Sequence, residues 1–153
     1  MMVSFKRLLS LYSKKADHPL QDDKETLDDS RFGLKVLVDK SSEILDAIDI
    51  VAIHGLNGDY SRTWTAITSA GTEVNWLKHE DFLPNHLENA RIMSYGYNSG
   101  FQFSNSQAGI SEFADQLLED LISWRVSQLE QLRPIIFICH SLGGLVFKQV
   151  SFL

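Results

Sequence analysis

The chain has 153 residues, a formal net charge of −6 and a pI of about 5.3. Its 44% hydrophobic and 22% charged residues are typical of one globular domain and exclude a globally disordered chain. The acidic balance, without a basic stripe, excludes bulk electrostatic binding of nucleic acid. A single cysteine, Cys139, excludes an intrachain disulfide and favours a reducing compartment.

The N-terminal residues 1–33 are predicted to precede the folded domain, which we place at residues 34–153. Residues 1–15 are basic, amphipathic and free of acids, which is typical of a mitochondrial targeting segment or a solvated tail, and the tail is favoured. Residues 16–30 are acidic and predict a flexible connection. No stretch is apolar enough to predict a membrane span. We expect a cytoplasmic protein, with peripheral attachment to the mitochondrion or endoplasmic reticulum as the alternative.

Short apolar runs predict four β-strands, at residues 35–38, 49–54, 90–95 and 135–139. Helices are predicted within residues 76–87, where Pro84 interrupts the pattern, over 107–132, ending before Pro134, and from residue 145 onward. Strands that alternate with helices predict an α/β fold with a mainly parallel sheet and helices on its faces. The apolar face of the helix over 107–132 is predicted to be formed by Ile110, Phe113, Leu117, Leu121, Trp124 and Leu129.

The sequence Cys-His-Ser-Leu-Gly-Gly at 139–144 lies between a predicted strand and a predicted helix. A sharp turn in that position exposes a serine hydroxyl as a nucleophile, and it requires small residues two places before and after the serine. Gly143 meets the requirement, whereas Cys139 replaces the usual glycine. We predict that Ser141 is the catalytic nucleophile of such an elbow. The alternative is that Ser141 only caps the following helix.

A serine that attacks a carbonyl group needs N–H donors for the resulting oxyanion. The residue after the serine is one donor in this arrangement, here Leu142, and a loop after an earlier strand supplies the other. We predict that the second donor is the N–H of Leu56, in a loop that His54, Gly55 and Gly58 support. The alternative is an ordinary glycine-rich loop.

Together these motifs resemble the lipase-like α/β-hydrolases of the serine-active-site group, which are related to enzymes that remodel GPI anchors and also stand at the N-terminus of fungal NACHT and NB-ARC proteins. The matching segments are DIVAIHGLNGD, the TW at 63–64, NWLKHEDFLP, ARIMSYGYNS and RPIIFICHSLGGLVFK, in this order between residues 49 and 148. The resemblance implies an α/β-hydrolase fold and serine-dependent hydrolysis of an acyl ester or lipid-like substrate. No cofactor is expected, and no metal either, since no pair of histidines has helical ligand spacing with a carboxylate partner.

The triad of this fold runs in the order serine, acid, histidine, but no Asp, Glu or His follows Ser141. We therefore expect a hydrolase domain that is truncated after the elbow, lacks the triad Asp and His, and is inactive alone. The strand at 135–139 is then predicted to have an unpaired apolar edge that a protein partner could cover. Two alternatives are a noncatalytic interaction or signalling module of a fungal receptor, and a lipase-like protein associated with the mitochondrion or endoplasmic reticulum.

Overall fold

The computed structural model describes the chain at residues 2–3, 31–41, 46–100 and 107–152. A five-stranded mixed sheet forms the centre of the fold, and two further strands form a separate hairpin. The strands are β1 (Met2–Val3), β2 (Gly33–Asp39), β3 (Ile48–Ile53), β4 (Thr65–Ile67), β5 (Glu73–Asn75), β6 (Ala90–Gly96) and β7 (Ile135–Cys139). The helices are α1 (Leu83–His86), α2 (Gln107–Trp124), α3 (Gln128–Leu132) and α4 (Gly143–Phe152). A short 3₁₀ turn covers Arg62–Trp64.

The strand order in the main sheet is β1-β7-β3-β6-β2. The central strand β3 runs parallel to both β6 and β7, while the edge strands β2 and β1 are antiparallel to their neighbours. In β3 every residue except Ile48 is buried, as expected for an apolar strand that is covered on both faces. The fold is therefore α/β, and the predicted parallel arrangement holds for the three central strands but not for the edges.

The two faces of the sheet carry separate cores. Helices α2 and α4 pack on one face, where Val51, Ile53 and Met93 are fully buried. The other face buries Ile50 and Ile92 and is covered by residues of the β4–β5 hairpin and α1, in a core whose members also include Ala52, Trp64, Leu77 and Ala90. The hairpin was not predicted, because its strands have only three residues each and its turn side is largely exposed.

The prediction of one helix over 107–132 is wrong, because α2 ends at Trp124 and α3 begins at Gln128. The break lies at Arg125, whose buried guanidinium donates to Asp49 in β3 and to the carbonyl oxygen of Arg133. Ser127 then starts α3 with a capping box that includes Glu130. The predicted apolar face is correspondingly shorter, since Trp124 and Leu129 are exposed.

A buried group of charges, which we call the Asp49 cluster, joins the amino ends of the central strands; its members are Asp49, Arg91, Arg125, Glu130 and Arg133. The Asp49 carboxylate is fully buried and accepts two bonds from its cross-strand partner Arg91, at 2.9 and 3.0 Å. Arg91 also donates to Glu130 at 2.9 Å. Desolvation alone would lower the pKa of Arg91, but the bonds to Asp49 outweigh it and raise the pKa. Arg91 therefore keeps its positive charge in the interior, whereas desolvation lowers the pKa of the neighbouring Arg125.

The outer edge of β7 is only partly open, which corrects the prediction of a wholly unpaired edge. β1 pairs there with Ile135 and Ile136, and among the described residues no strand pairs with residues 137–139 on that side. The helix predicted within 76–87 is also shorter than expected, since α1 covers only Leu83–His86 and Pro84 lies in its first turn, where proline is tolerated.

The predicted domain boundary at residue 34 falls one residue inside β2, and Met2–Val3 lies in the main sheet. The rest of the basic and acidic N-terminal segment, residues 4–30, lies outside the described residues, as do residues 101–106 of the predicted loop before α2. Among the helices of the described part, none has the length and apolar character to cross a membrane.

Candidate active site

The loops that follow β3 and β7 meet at the carboxyl edge of the sheet. The chain leaving β3 runs to the hairpin face, where Trp64 is buried, whereas the chain leaving β7 runs to α4 on the opposite face, where Val146 is buried. Adjacent parallel strands whose connections diverge to opposite faces leave a crevice between them, and open α/β sheets bind ligands at such switch points. This topology brings the two predicted site loops together.

Two glycines set how closely the loops approach. A Cβ atom on Gly55 would lie 2.8 Å from the Cβ of Ser141 and 2.9 Å from the carbonyl oxygen of His140. A Cβ on Gly143 would lie 2.6 Å from the carbonyl oxygen of His54 and closer still to that of Ile53. Both glycines are therefore required by the contact between the loops, since Gly143 lies against the backbone of Ile53 and His54.

Ser141 is exposed at the tip of the turn and has a φ of 52°. The turn is closed by hydrogen bonds of 3.0 Å from Gly143 N to His140 O and from Gly144 N to Ser141 O. A helix cap has an extended backbone, and α4 starts two residues later at Gly143, so the alternative of a simple capping serine is wrong. A non-glycine residue with positive φ is strained, and such strain concentrates at functional sites.

The two predicted oxyanion donors lie in the two facing loops: Leu142 follows Ser141 in the serine turn, and Leu56 lies in the loop after β3. Leu142 is buried beneath the turn, and Leu56 is 43% exposed at the loop surface. Within the described residues, neither the Leu56 N–H nor the Leu142 N–H donates a hydrogen bond to a protein acceptor.

His54 is buried and has both ring nitrogens engaged by backbone groups. Its Nδ1 lies 2.9 Å from the carbonyl oxygen of Gly55, and its Nε2 accepts the N–H of Tyr97 at 3.3 Å. This pattern fixes the neutral tautomer with a proton on Nδ1. Desolvation lowers the pKa of His54 and outweighs the hydrogen bonds and charges that would raise it. His54 therefore supports the loop and is not placed to take a proton from Ser141.

None of the described histidines and carboxylates, His54 included, hydrogen-bonds to Ser141. The His140 side chain is exposed, with Nδ1 against Gly55, and His79 pairs with Asp81 beside α1. His86 is exposed, and His18 lies outside the described residues. Desolvation raises the pKa of the Cys139 thiol to about 11, so this neighbour is protonated at neutral pH and is a poor nucleophile.

Two residues that the sequence analysis did not single out hold residues 54–59, which we call the Leu56 loop, in place. Tyr97 donates its hydroxyl to the carbonyl oxygen of His54 at 2.8 Å and stacks on the imidazole with ring centroids 4.3 Å apart. The Asp59 carboxylate accepts the N–H groups of Ser61 and Arg62 at 2.8 and 3.0 Å. Desolvation raises the pKa of Asp59, but these N–H groups outweigh it and leave the pKa lowered. The signal for Asp59 was an Asp directly after Asn-Gly, which favours an Asx turn.

Fold and site together define an α/β protein with a strained, exposed serine in the crevice between two parallel strands. Comparison of the chain with models of protein families, with curated proteins and with solved structures finds no match.

Proposed function

We propose that this chain is a serine hydrolase domain of the α/β-hydrolase type, with Ser141 as the nucleophile and an acyl ester or lipid-like molecule as the substrate. One observation supports the proposal above all: Ser141 has a φ of 52° in a strand–turn–helix segment that packs against Gly55. Backbone strain of this kind clusters at functional sites, where the surrounding structure holds it in place.

The chemistry that we propose is acyl transfer. The Ser141 oxygen forms a bond to the acyl carbonyl carbon while its proton passes to a base, and the carbonyl oxygen becomes an oxyanion held by the N–H groups of Leu56 and Leu142. Collapse of this intermediate breaks the bond to the alcohol, which leaves with a proton. Water then releases the acyl group from Ser141.

The described residues offer no base in contact with Ser141, so we propose that the chain by itself reacts slowly. Enzymes that lose a triad member keep a rate about 10³–10⁴-fold above that in water, because oxyanion donors and substrate binding remain. In this chain the N–H groups of Leu56 and Leu142 would be the oxyanion donors that sustain this residual rate. The full reaction would need a histidine delivered to the carboxyl edge of the sheet.

Labelling with a fluorescent fluorophosphonate tests this proposal. We expect slow labelling of the full chain that is lost in Ser141→Ala and kept in Ser151→Ala, the matched control, whose hydroxyl donates to the carbonyl oxygen of Lys148 on α4. Peptide mapping should find the label on Ser141. Labelling at another residue, or no labelling of a folded chain at millimolar probe, would contradict a catalytic role for this serine.

A second candidate is a noncatalytic interaction module, favoured by residues 137–139 of β7, whose outer side pairs with no strand in the described part of the chain. Backbone groups at an open edge pair readily with a strand of another chain. Absence of labelling together with concentration-dependent association in sedimentation velocity would support this candidate. A monomeric chain that labels at Ser141 would exclude it.

A further inference from the structure

A second crevice lies on the other side of β3, where the chains leaving β3 and β6 also diverge to opposite faces. It holds a cavity of about 270 Å³, which borders the Leu56 loop and whose polar lining includes Arg31, Asn57, Asp59, Arg62, Asn98 and Ser99. The cavity is therefore a neighbour of the serine turn but does not include it.

The lining of this cavity carries a surplus of positive charge. Its acidic and basic members are Arg31, Arg62, Asp59 and His54, and burial favours the neutral form of His54. Two guanidinium groups against one carboxylate leave a formal charge of +1, although the whole chain carries −6. The N–H groups of Ser61 and Arg62 both donate to Oδ1 of Asp59, at 2.8 and 3.0 Å, and partly compensate the charge of this carboxylate. The two guanidinium groups therefore favour an anion in the cavity, and among the described residues of the lining the Asp59 carboxylate is the one negative group that opposes it.

Several donors of the lining have no protein acceptor. Within the described residues, no hydrogen bond engages the side chains of Arg62, Asn57 or Asn98. The backbone of Arg31 is held in place, because it packs against Gly96 so tightly that a Cβ there would collide with the Arg31 carbonyl group, while the Arg31 side chain is exposed. Guanidinium groups bind phosphate and carboxylate oxygens through paired N–H donors.

We propose that this cavity binds a phosphate group, either as the free ion or as the phosphate of a small ester. The adjoining cavity contains the carboxyl groups of Glu112, Glu119 and Asp120, which would repel the anion and restrict it to the side of Arg31 and Arg62. Since Asn57 and Gly58 belong to both the cavity and the Leu56 loop, a phosphate ester bound here would lie beside the crevice that holds Ser141. That last step rests on the proposed function, whereas phosphate binding itself does not.

Titration of the full chain, followed by amide NMR at constant ionic strength, tests the proposal with inorganic phosphate, glycerol 3-phosphate and glycerol. We expect saturable shifts at Gly58, Asn98 and Gly100 with both phosphates and none with glycerol. Tighter binding of glycerol 3-phosphate would assign the cavity to a phosphate ester, and equal binding would assign it to the free ion.

The variants Arg31→Gln and Arg62→Gln should each weaken binding, and together they should weaken it at least tenfold. Lys78→Gln removes an exposed positive charge outside the cavity and should leave binding unchanged. Ser141→Ala should also bind phosphate normally, so loss of labelling at the serine and loss of phosphate binding are separate results. Binding of glycerol as tight as that of glycerol 3-phosphate, unsaturable shifts, or equal affinity in the folded double variant would overturn the proposal.

Discussion

Tyr97 donates its hydroxyl to the carbonyl oxygen of His54 at 2.8 Å, and its ring stacks on the imidazole of the same residue. One aromatic side chain after β6 thus fixes both the backbone and the side chain at the start of the Leu56 loop. The Tyr97 N–H, which donates to His54 Nε2, adds a third link between the two residues.

Replacing Tyr97 by phenylalanine should loosen this loop without emptying the core. We expect a loss of about 1 kcal/mol in the free energy of unfolding, because one buried hydrogen bond is removed and the ring remains. Hydrogen exchange at the amide of Gly58, which donates to the carbonyl oxygen of Gly55, should accelerate. Tyr60→Phe is the matched control, and equal exchange rates in the two variants would argue against a specific role of the Tyr97 hydroxyl.

Alanine at position 143 should be far more damaging than alanine at the next position. A Cβ on Gly143 collides with the backbone of Ile53 and His54, so we expect a loss of about 3 kcal/mol. No atom lies within 4 Å of a Cβ on Gly144, and alanine favours a helix, so Gly144→Ala should be stabilising by up to about 1 kcal/mol. Urea denaturation measures both; similar stabilities would mean that the two loops are not in contact.

Glycine in place of Ser141 should stabilise the fold. The positive φ at this residue strains any side chain with a Cβ, whereas glycine adopts it freely. Ser141→Ala removes only the hydroxyl and keeps the strain. We expect the free energy of unfolding of Ser141→Gly to exceed that of Ser141→Ala by about 1 kcal/mol, as measured by thermal or urea unfolding. A glycine variant that is no more stable than the alanine variant would show that the turn is unstrained.

Neutralising Asp49 should cost about 3–5 kcal/mol, because the buried guanidinium groups of Arg91 and Arg125 would lose their shared carboxylate. Domains of this size have a total stability of about 5–15 kcal/mol, so Asp49→Asn should unfold at a much lower urea concentration. Asp46→Asn, three residues earlier and exposed, should change stability by less than about 0.5 kcal/mol. Equal midpoints for the two variants would contradict the role assigned to the Asp49 cluster.

The stability of the fold should also depend on pH through His54. Its folded pKa lies below the ordinary value of 6.5, so as pH falls the unfolded chain takes up this proton before the folded chain does. The resulting loss in the free energy of unfolding is absent above pH 6.5. It grows as pH falls toward the folded pKa, by at most about 1.4 kcal/mol per pH unit. His54→Gln should flatten the stability curve between pH 7 and pH 5. Parallel curves for the variant and the original chain would show that His54 titrates normally.

Much of this fold is predictable from short apolar runs. The runs at 49–54, 90–95 and 135–139 match β3, β6 and β7 to within one residue at each end, because buried parallel strands must be apolar on both faces. The serine turn follows from the local order of strand, small residues and helix. These elements depend on neighbours in the sequence, which is where pattern reasoning works.

Features that depend on distant partners were not predictable. The break after Trp124 arises because Arg125 bonds to Asp49, 76 residues earlier in the chain. A helical pattern running through residue 125 gives no sign of that partner. The same reason hides Tyr97 from the predicted site, since its link to His54 spans 43 residues. Ion pairs and hydrogen bonds between residues far apart in the sequence therefore determine the structure where local periodicity does not predict it.

The Asp49 cluster and the serine turn occupy opposite ends of the same three strands. At the amino ends, Asp49 of β3 forms ion pairs with Arg91 of β6 and with Arg125, whereas at the carboxyl ends Tyr97 and His54 link the same two strands by hydrogen bonds. The alignment of β3 and β6 consequently depends on two separate sets of contacts, one at each end of the strands. A substitution confined to the serine end should leave the charged end of the sheet intact, so the two ends can be altered independently.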